Sequence, residues 1–205
     1  MTYTVNNKSI LTVSDTGLIT PLTVGDTTIT ITSTRNKSLT KTVTVHVINP
    51  VIQSDTYYIN RDDEDNNYIT GMEPNTIVDD FLSNLKNERE NLKVYSVDEN
   101  LVDIEDTTKT KYVVKLIING TIYDQLVLVL KGDIDGDGAV TVADVLKTRG
   151  QILRQESLDY IELKAADIDM DNSITVADVL KMRGYILRQT SSLNEDLKKY
   201  LEQES

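Results

Sequence analysis

The chain has 205 residues, with 33 acidic against 21 basic side chains and a formal charge of -12. That balance lacks the basic footprint of a nucleic-acid binder and gives no attraction to anionic lipid surfaces. There is no cysteine, which excludes disulfides and thiolate chemistry, and no apolar run of about eighteen residues, so no membrane insertion is expected.

Hydrophobic residues make up 39%, a low share that favours small, divided cores. The opening MTYTVNNKSI has neither the basic nor the apolar region of a signal peptide. The chain is therefore either cytoplasmic or a piece of something longer.

Residues 2–48 read as short strands. TVTVHVI (Thr42–Ile48) alternates, with Val43, Val45 and Val47 on one face and Thr42, Thr44 and His46 on the other. TTITITS turns Ile29 and Ile31 inward, and SDTG and RNKS supply turns. The expectation is an antiparallel sheet with one solvated face. The run ILTVSDTGLITPLTVGDTTITITS with KTVTVHV resembles the C-terminal half of the bacterial immunoglobulin-like group 2 domain. Gly17-Leu18-Ile19-Thr20 and Gly25-Asp26-Thr27 fill that family's motif places, and Tyr3 stands where tryptophan is usual. The resemblance implies a partial all-β sandwich over residues 1–49, from the C-terminal portion of a longer, secreted protein.

Asn49-Pro50 breaks this pattern, and residues 50–131 read as a small α+β module of order β-β-α-β-β-β. YYI and NYIT flank the polar loop NRDDEDN. That loop lacks fixed ligand spacing and a closing carboxylate, so it reads as a solvated acidic turn. A helix is predicted with Thr76 as N-cap and Val78, Phe81, Leu82 and Leu85 on one face. LKVYSVD, KYVVKLII and TIYDQLVLVL follow as strands, the last two joined at Asn119-Gly120, a strong hairpin signal. The module loosely resembles one often found directly before dockerins.

The densest chemistry lies in DIDGDGAVTVAD (Asp133–Asp144), repeated thirty-four positions on as DIDMDNSITVAD (Asp167–Asp178). A twelve-residue Ca²⁺ loop draws oxygens from positions 1, 3, 5, 7, 9 and 12, with position 7 giving its carbonyl. Those positions are Asp133, Asp135, Asp137, Ala139, Thr141 and Asp144, then Asp167, Asp169, Asp171, Ser173, Thr175 and Asp178. Gly138 and Asn172 suit the sharp turn at position 6, and Val140 and Ile174 are the inward apolar eighth residues. Two carboxylates about 4 Å apart repel by roughly 4 kcal/mol at an effective dielectric near 20. A central divalent ion reverses that sign. Residues 132–190 hold 11 acidic and 7 basic side chains, a net of -4 that two Ca²⁺ neutralise. Magnesium, which prefers to keep its waters, fits less well.

A calcium sensor flanks each loop with helices and opens a Met-rich groove. Here QLVLVLKG, a strand, precedes the first loop; position 12 is Asp; and the chain has 4 methionines. What remains is a loop and an exiting helix, twice, with SLDYIEL as a short linking helix. GDIDGDGAVTVADVLKTRGQILRQ and ADIDMDNSITVADVLKMRGYILRQ closely resemble the type I dockerin family; 17 of 23 positions agree between the repeats counted from Asp133 and Asp167.

That resemblance implies an all-α dockerin over residues 132–190 with two calcium-binding loop–helix repeats. It also implies a Ca²⁺-dependent complex with a cohesin module of a scaffold or cell-surface protein, outside the cell, as in cellulosome assembly for polysaccharide degradation. The recognition positions carried over are Val142, Ala143, Leu146, Lys147, Arg149, Gly150 and Arg154, with Val176, Ala177, Leu180, Lys181, Arg183, Gly184 and Arg188 as mates. Many dockerins have Ser-Thr where this chain has Val-Ala, so their specificity does not transfer.

Gly150 and Gly184 lie within helices, where glycine costs about 1 kcal/mol against alanine. A close partner surface or a helix crossing inside the module accounts for them. Val145, Ile152, Val179 and Ile186 are expected to face the core, and Leu146 and Leu153 fit either core or interface. Exact repetition favours an interface for Lys147, Arg149 and Arg154 over plain solvation. The matched faces suggest docking on one cohesin in either of two orientations.

Residues 191–205 form a last helix. Ser192 and Glu195 have capping-box spacing, and Leu193, Leu197, Tyr200 and Leu201 form an apolar stripe that packs on the chain itself. The one histidine, His46, is expected in solvent. Without a Gly-rich phosphate loop or G-x-S-x-G, no enzyme is expected here, though a catalytic domain upstream fits the pattern. The chain reads as a multi-domain, non-catalytic anchoring protein, monomeric outside the cohesin complex. A calcium-stabilised adhesin or stalk segment is the alternative.

Overall fold

The computed structural model describes residues 1–48, 50–61 and 67–204, the side chains at 200, 203 and 204 excepted. Most of the NRDDEDN loop (62–66) and the Tyr200 side chain thus lie outside the described residues. Met1–Pro50 and Val51–Ser205 form two compact units.

In the first unit, β1 (Thr2–Val5), β4 (Gly25–Thr32) and β5 (Thr40–Val47) make an antiparallel sheet of order β1-β4-β5, while β2 (Leu11–Val13) pairs with β3 (Ile19–Pro21). Val5, Leu11 and Ile29 are buried, with Tyr3, Val13, Ile31, Val45 and Val47 packed round them. Val43 does not join this core, although alternation places it on one face with Val45 and Val47. It sits on edge strand β5 and stays 42% exposed. His46 is exposed, its Nδ1 2.7 Å from Asp26 Oδ1 on the neighbouring strand.

The second unit opens with β6 (Tyr58–Asn60), β7 (Tyr68–Thr70), α1 (Val78–Ser83), a 3-10 turn at Arg89–Asn91, β8 (Leu92–Tyr95), β9 (Val113–Ile118) and β10 (Thr121–Val129). The sheet order is β6-β7-β10-β9-β8. β7 and β10 run parallel; the other pairs are antiparallel. Asn119 and Gly120 take φ of 51° and 79° at the β9–β10 hairpin, as the Asn-Gly signal requires.

The expected N-cap of α1 shifts. Ile77 holds that place without a side-chain cap, because the Thr76 hydroxyl donates to the Glu73 carbonyl. The free N–H groups of Val78 and Asp79 donate instead to the carbonyls of Asp106 and Ile104. A crossing backbone segment replaces the side-chain cap.

Strand β10 is the hinge of the architecture. Successive strand side chains point to opposite faces, so Leu126 and Leu128 enter a core with Ile69, Phe81 and Leu116. Val127 and Val129 face the other way, with Tyr68, onto Ile134, Ala165, Ile168, Met182 and Leu193. The remaining helices are α2 (Val142–Ile152), α3 (Tyr160–Ala166), α4 (Val176–Ile186) and α5 (Glu195–Glu204). This second core joins the sheet to the helices across residues 131–132.

Three local expectations change. The linking helix starts only at Tyr160, because Asp159 is its N-cap and forms a capping box with Glu162, and it runs to Ala166. It leads straight into Asp167, so the second loop has an entering helix where the first has a strand. The capping box at Ser192 does not form. Its hydroxyl donates to Glu73 Oε1 and accepts from the Asn194 N–H. As expected, Leu193 and Leu197 are buried against the unit, so this tail packs on its own chain.

Candidate metal centres and helix faces

Each acidic loop is folded by its own backbone N–H groups. In the first, Asp144 Oδ1 accepts from the N–H of Ile134 (2.8 Å) and Asp135 (3.1 Å), and Oδ2 from Thr141 (2.8 Å). Asp133 Oδ1 accepts from Gly138 (3.2 Å) and Asp137 from Ala139 (2.8 Å). The second loop repeats the pattern. Asp178 accepts from Ile168 and Thr175 at 2.8 Å, Asp167 from Asn172 at 3.2 Å, and Asp171 from Ser173 at 2.8 Å. Thr141 and Thr175 then cap α2 and α4 by accepting from Ala143 and Ala177 at 3.1 Å each.

These bonds converge the acids. Asp133, Asp135 and Asp137 each present a carboxylate oxygen, all within 4.8 Å of one another, and Asp167, Asp169 and Asp171 do the same. Calcium–oxygen distances of about 2.3–2.6 Å put oxygens on opposite sides of one ion roughly 5 Å apart, so each triad fits a single Ca²⁺. Asp167 Oδ1 and Asp169 Oδ1 are buried and have no hydrogen-bond partner. Such oxygens are costly unless a cation meets them. Burial, and then repulsion from the Asp144 carboxylate, raises the carboxyls of Asp133 and Asp135 above their ordinary 3.8. Burial and Asp178 likewise raise Asp169, and Asp167 too despite the opposing Lys131 charge. Asp144 and Asp178 are buried beside the triads, tying loop start to loop end. Ala139 and Ser173 occupy the turn that follows the triad.

Positive φ falls at two places per loop: Gly136 (75°) and Gly138 (92°), Met170 (61°) and Asn172 (64°). The sixth-position requirement was legible; the fourth was not, because methionine gives no such signal.

Lys131 lies buried beside the second loop. It is 4% exposed, and its ammonium donates to the carbonyls of Lys164 (2.8 Å) and Asp167. Burial lowers it to about 8, against the pull of Asp167. A lone lysine ending an apolar strand carries no sequence sign of such a role.

Helices α2 and α4 pack on each other through Thr148 and Met182, both fully buried, with the Thr148 hydroxyl 3.6 Å from the Met182 sulfur. Val145, Ile152, Val179 and Ile186 are only half-buried. The outer faces match closely. Val142 is 61% exposed and Val176 60%, Leu146 57% and Leu180 59%, Leu153 52% and Leu187 53%. Ala143, Ala177, Arg149 and Arg183 are exposed beside them.

The lysines turn inward. Lys147 meets Glu162 of α3 at 3.4 Å, and Lys181 binds Asp196 of α5. Gly150 is crowded by its own chain, since a Cβ there would come within 2.8 Å of Glu156 Oε2. Gly184 is buried, yet a Cβ there would meet nothing closer than 3.8 Å. Arg154 and Arg188 take φ of 56° and 57° just past the helices. The next residues, Gln155 and Gln189, donate back to the Gly150 and Gly184 carbonyls, closing a Schellman turn in each repeat.

A duplicated acidic loop, each followed by a helix with an exposed apolar outer face, is the arrangement of a calcium-loop binding module. Comparison with known families agrees: residues 131–187 match the Dockerin type I domain, and residues 1–43 match in part the Bacterial Ig-like domain (group 2). No curated protein and no solved structure matches the chain. The dockerin match supports a calcium-dependent, cohesin-binding module in general. Both matched modules are non-catalytic and typical of extracellular proteins. No helix among the described residues is long and apolar enough to cross a membrane.

Proposed function

We propose that this chain anchors a secreted bacterial protein. Two Ca²⁺ ions order loops 133–144 and 167–178, and helices α2 and α4 then dock on a cohesin of a scaffold or cell-surface protein. The observation that carries the reading is the pair of acid triads, each with oxygens within 4.8 Å and each leading into a helix with the same exposed residues. Asp133, Asp135, Asp137, Asp144 and their mates Asp167, Asp169, Asp171, Asp178 supply carboxylates. Ala139, Ser173, Thr141 and Thr175 complete the positions that a twelve-residue loop uses. Bound Ca²⁺ supplies charge neutralisation and a fixed loop; the chain's own residues do the recognition.

Val142, Ala143, Leu146 and Arg149, with Val176, Ala177, Leu180 and Arg183, form the centre of the docking face. Lys147, Lys181, Gly150, Gly184, Arg154 and Arg188 stand at its margins. Val-Ala at loop positions 10 and 11 gives this face an apolar centre and restricts it to cohesins with an apolar counterpart. The domain organisation is an Ig-like segment to residue 49, a sheet-and-helix module to 131, the dockerin to 190 and a packed tail. The chain acts as a monomer outside the complex and serves in a cellulosome-like assembly on polysaccharide.

The test is calorimetric titration of the full chain with a panel of type I cohesins, in Ca²⁺ and in excess chelator. The reading expects one cohesin per chain in Ca²⁺ and none in chelator. Binding to no cohesin, with calcium still raising the melting temperature, would favour the stalk reading.

A further inference from the structure

The two acidic loops have the same bonds inside them but different neighbours outside. Segment 108–111, the backbone just before β9, presses on the first loop alone. The Thr110 N–H donates to Asp133 Oδ2 at 2.8 Å, giving that carboxylate a second partner that Asp167 lacks. Thr108 and Thr110 are themselves buried at 0% and 1% exposure. The Thr110 hydroxyl also accepts from the Leu130 N–H at 3.1 Å, locking the segment to the strand that feeds the loop.

Packing also accounts for the sequence difference between the loops. Positive φ does not by itself demand glycine at positions 4 and 6, because Met170 and Asn172 adopt it in the second loop. Close packing adds a second reason for it. A Cβ on Gly136 would lie 3.2 Å from the Thr110 carbonyl oxygen, and one on Gly138 3.1 Å from Lys109 Cγ and 3.4 Å from the Thr108 oxygen. Glycine at both positions lets segment 108–111 lie close against the first loop.

We infer that segment 108–111 of the sheet module is a working part of the first calcium site, so that the two ions bind inequivalently and only the first is coupled to the seating of this segment. The inference rests on the calcium reading above. Thr110 acts as a positioning residue, orienting the first-position carboxylate through its N–H. The second loop is supported from elsewhere, by the Lys131 ammonium on the Asp167 carbonyl and by Lys164 Nζ, 3.1 Å from Asn172 Oδ1.

The test uses the full chain, stripped with chelator and titrated with Ca²⁺ by calorimetry, with amide hydrogen exchange read at residues 108–111. Gly136→Met with Gly138→Asn writes the second loop's residues into the first. Loss of an outer partner of a metal ligand costs roughly 10- to 100-fold in affinity, and that loss is expected at one site only, with faster exchange at Thr110. The reverse pair, Met170→Gly with Asn172→Gly, is expected to leave Thr110 exchange unchanged. A second probe is Thr110→Pro, which removes the N–H, against Thr110→Ser, which keeps it. Only the proline is expected to weaken one site. Equal weakening of both sites, or no weakening by either the loop pair or the proline, overturns the coupling. Absence of any calcium binding by the unaltered chain overturns the calcium reading as well.

Discussion

Six positions separate the two loop–helix repeats, and five of them touch the rest of the chain. Gly136 and Gly138 leave room for segment 108–111, whereas Asn172 instead reaches Lys164. Val140 and Ile174 pack into the shared core, and Gln151 binds the Leu158 N–H where Tyr185 packs into that core. Thr148 and Met182 meet between the helices. Nothing in the structure explains Ala139 against Ser173. The identical positions include every loop carboxylate and the exposed apolar face. A duplicated sequence drifts where each copy must fit a different neighbour, and stays the same where both meet one demand. On the proposed function the common demands are an ion within and a partner outside.

The two repeats differ where their helices cross, at Thr148 and Met182. At the helix crossing the buried threonine of one helix faces the buried methionine of the other. Met182→Ala should destabilise the second unit by about 2–5 kcal/mol, as loss of a buried large residue does, measured by denaturant unfolding in Ca²⁺. Leu146→Ala, at an exposed repeated position, should change stability by less than about 0.5 kcal/mol while weakening cohesin capture. If the two substitutions destabilise alike, the division between inward and outward positions fails.

Acid acts on both loops in the same direction. Asp133, Asp135, Asp167 and Asp169 have folded pKa values above their ordinary 3.8. A group raised on folding adds stability below its unfolded pKa and loses it as pH rises through the folded one. The metal-free chain should therefore melt at a higher temperature near pH 5 than near pH 7. Calcium-loaded protein should show the reverse, because protons then compete with the ion. Thermal scans in chelator and in Ca²⁺, at both pH values, check the crossing of sign.

Much of this was legible in residue order. Loop spacing alone placed Asp133, Asp135 and Asp137 together, and alternation in QLVLVL announced a strand before the first loop. What was hidden depended on contacts between distant segments. Period-2 alternation gives two faces, but not that Val127 and Val129 would enter the helix core. Thr76 and Ser192 carry cap signatures, yet each hydroxyl is taken by Glu73, one by its carbonyl and the other by its carboxylate. The buried Lys131 ammonium donates to backbone carbonyls and the Thr110 N–H to a carboxylate, pairings with distant segments that residue identity does not encode. The left-handed turns at Met170, Arg154 and Arg188 fall on residues that do not ordinarily favour them.

The proposed function requires that the repeated outer faces serve one partner. It is tested most directly by measuring the Kd of a matched cohesin for Val142→Asp, for Val176→Asp and for the double variant, in Ca²⁺. If either repeat can take the same place on the cohesin, each single change removes one of two equivalent orientations and weakens binding only about twofold. The double change should abolish it. Abolition by Val142→Asp alone would contradict the equivalence, and full binding by the double variant would contradict the face itself.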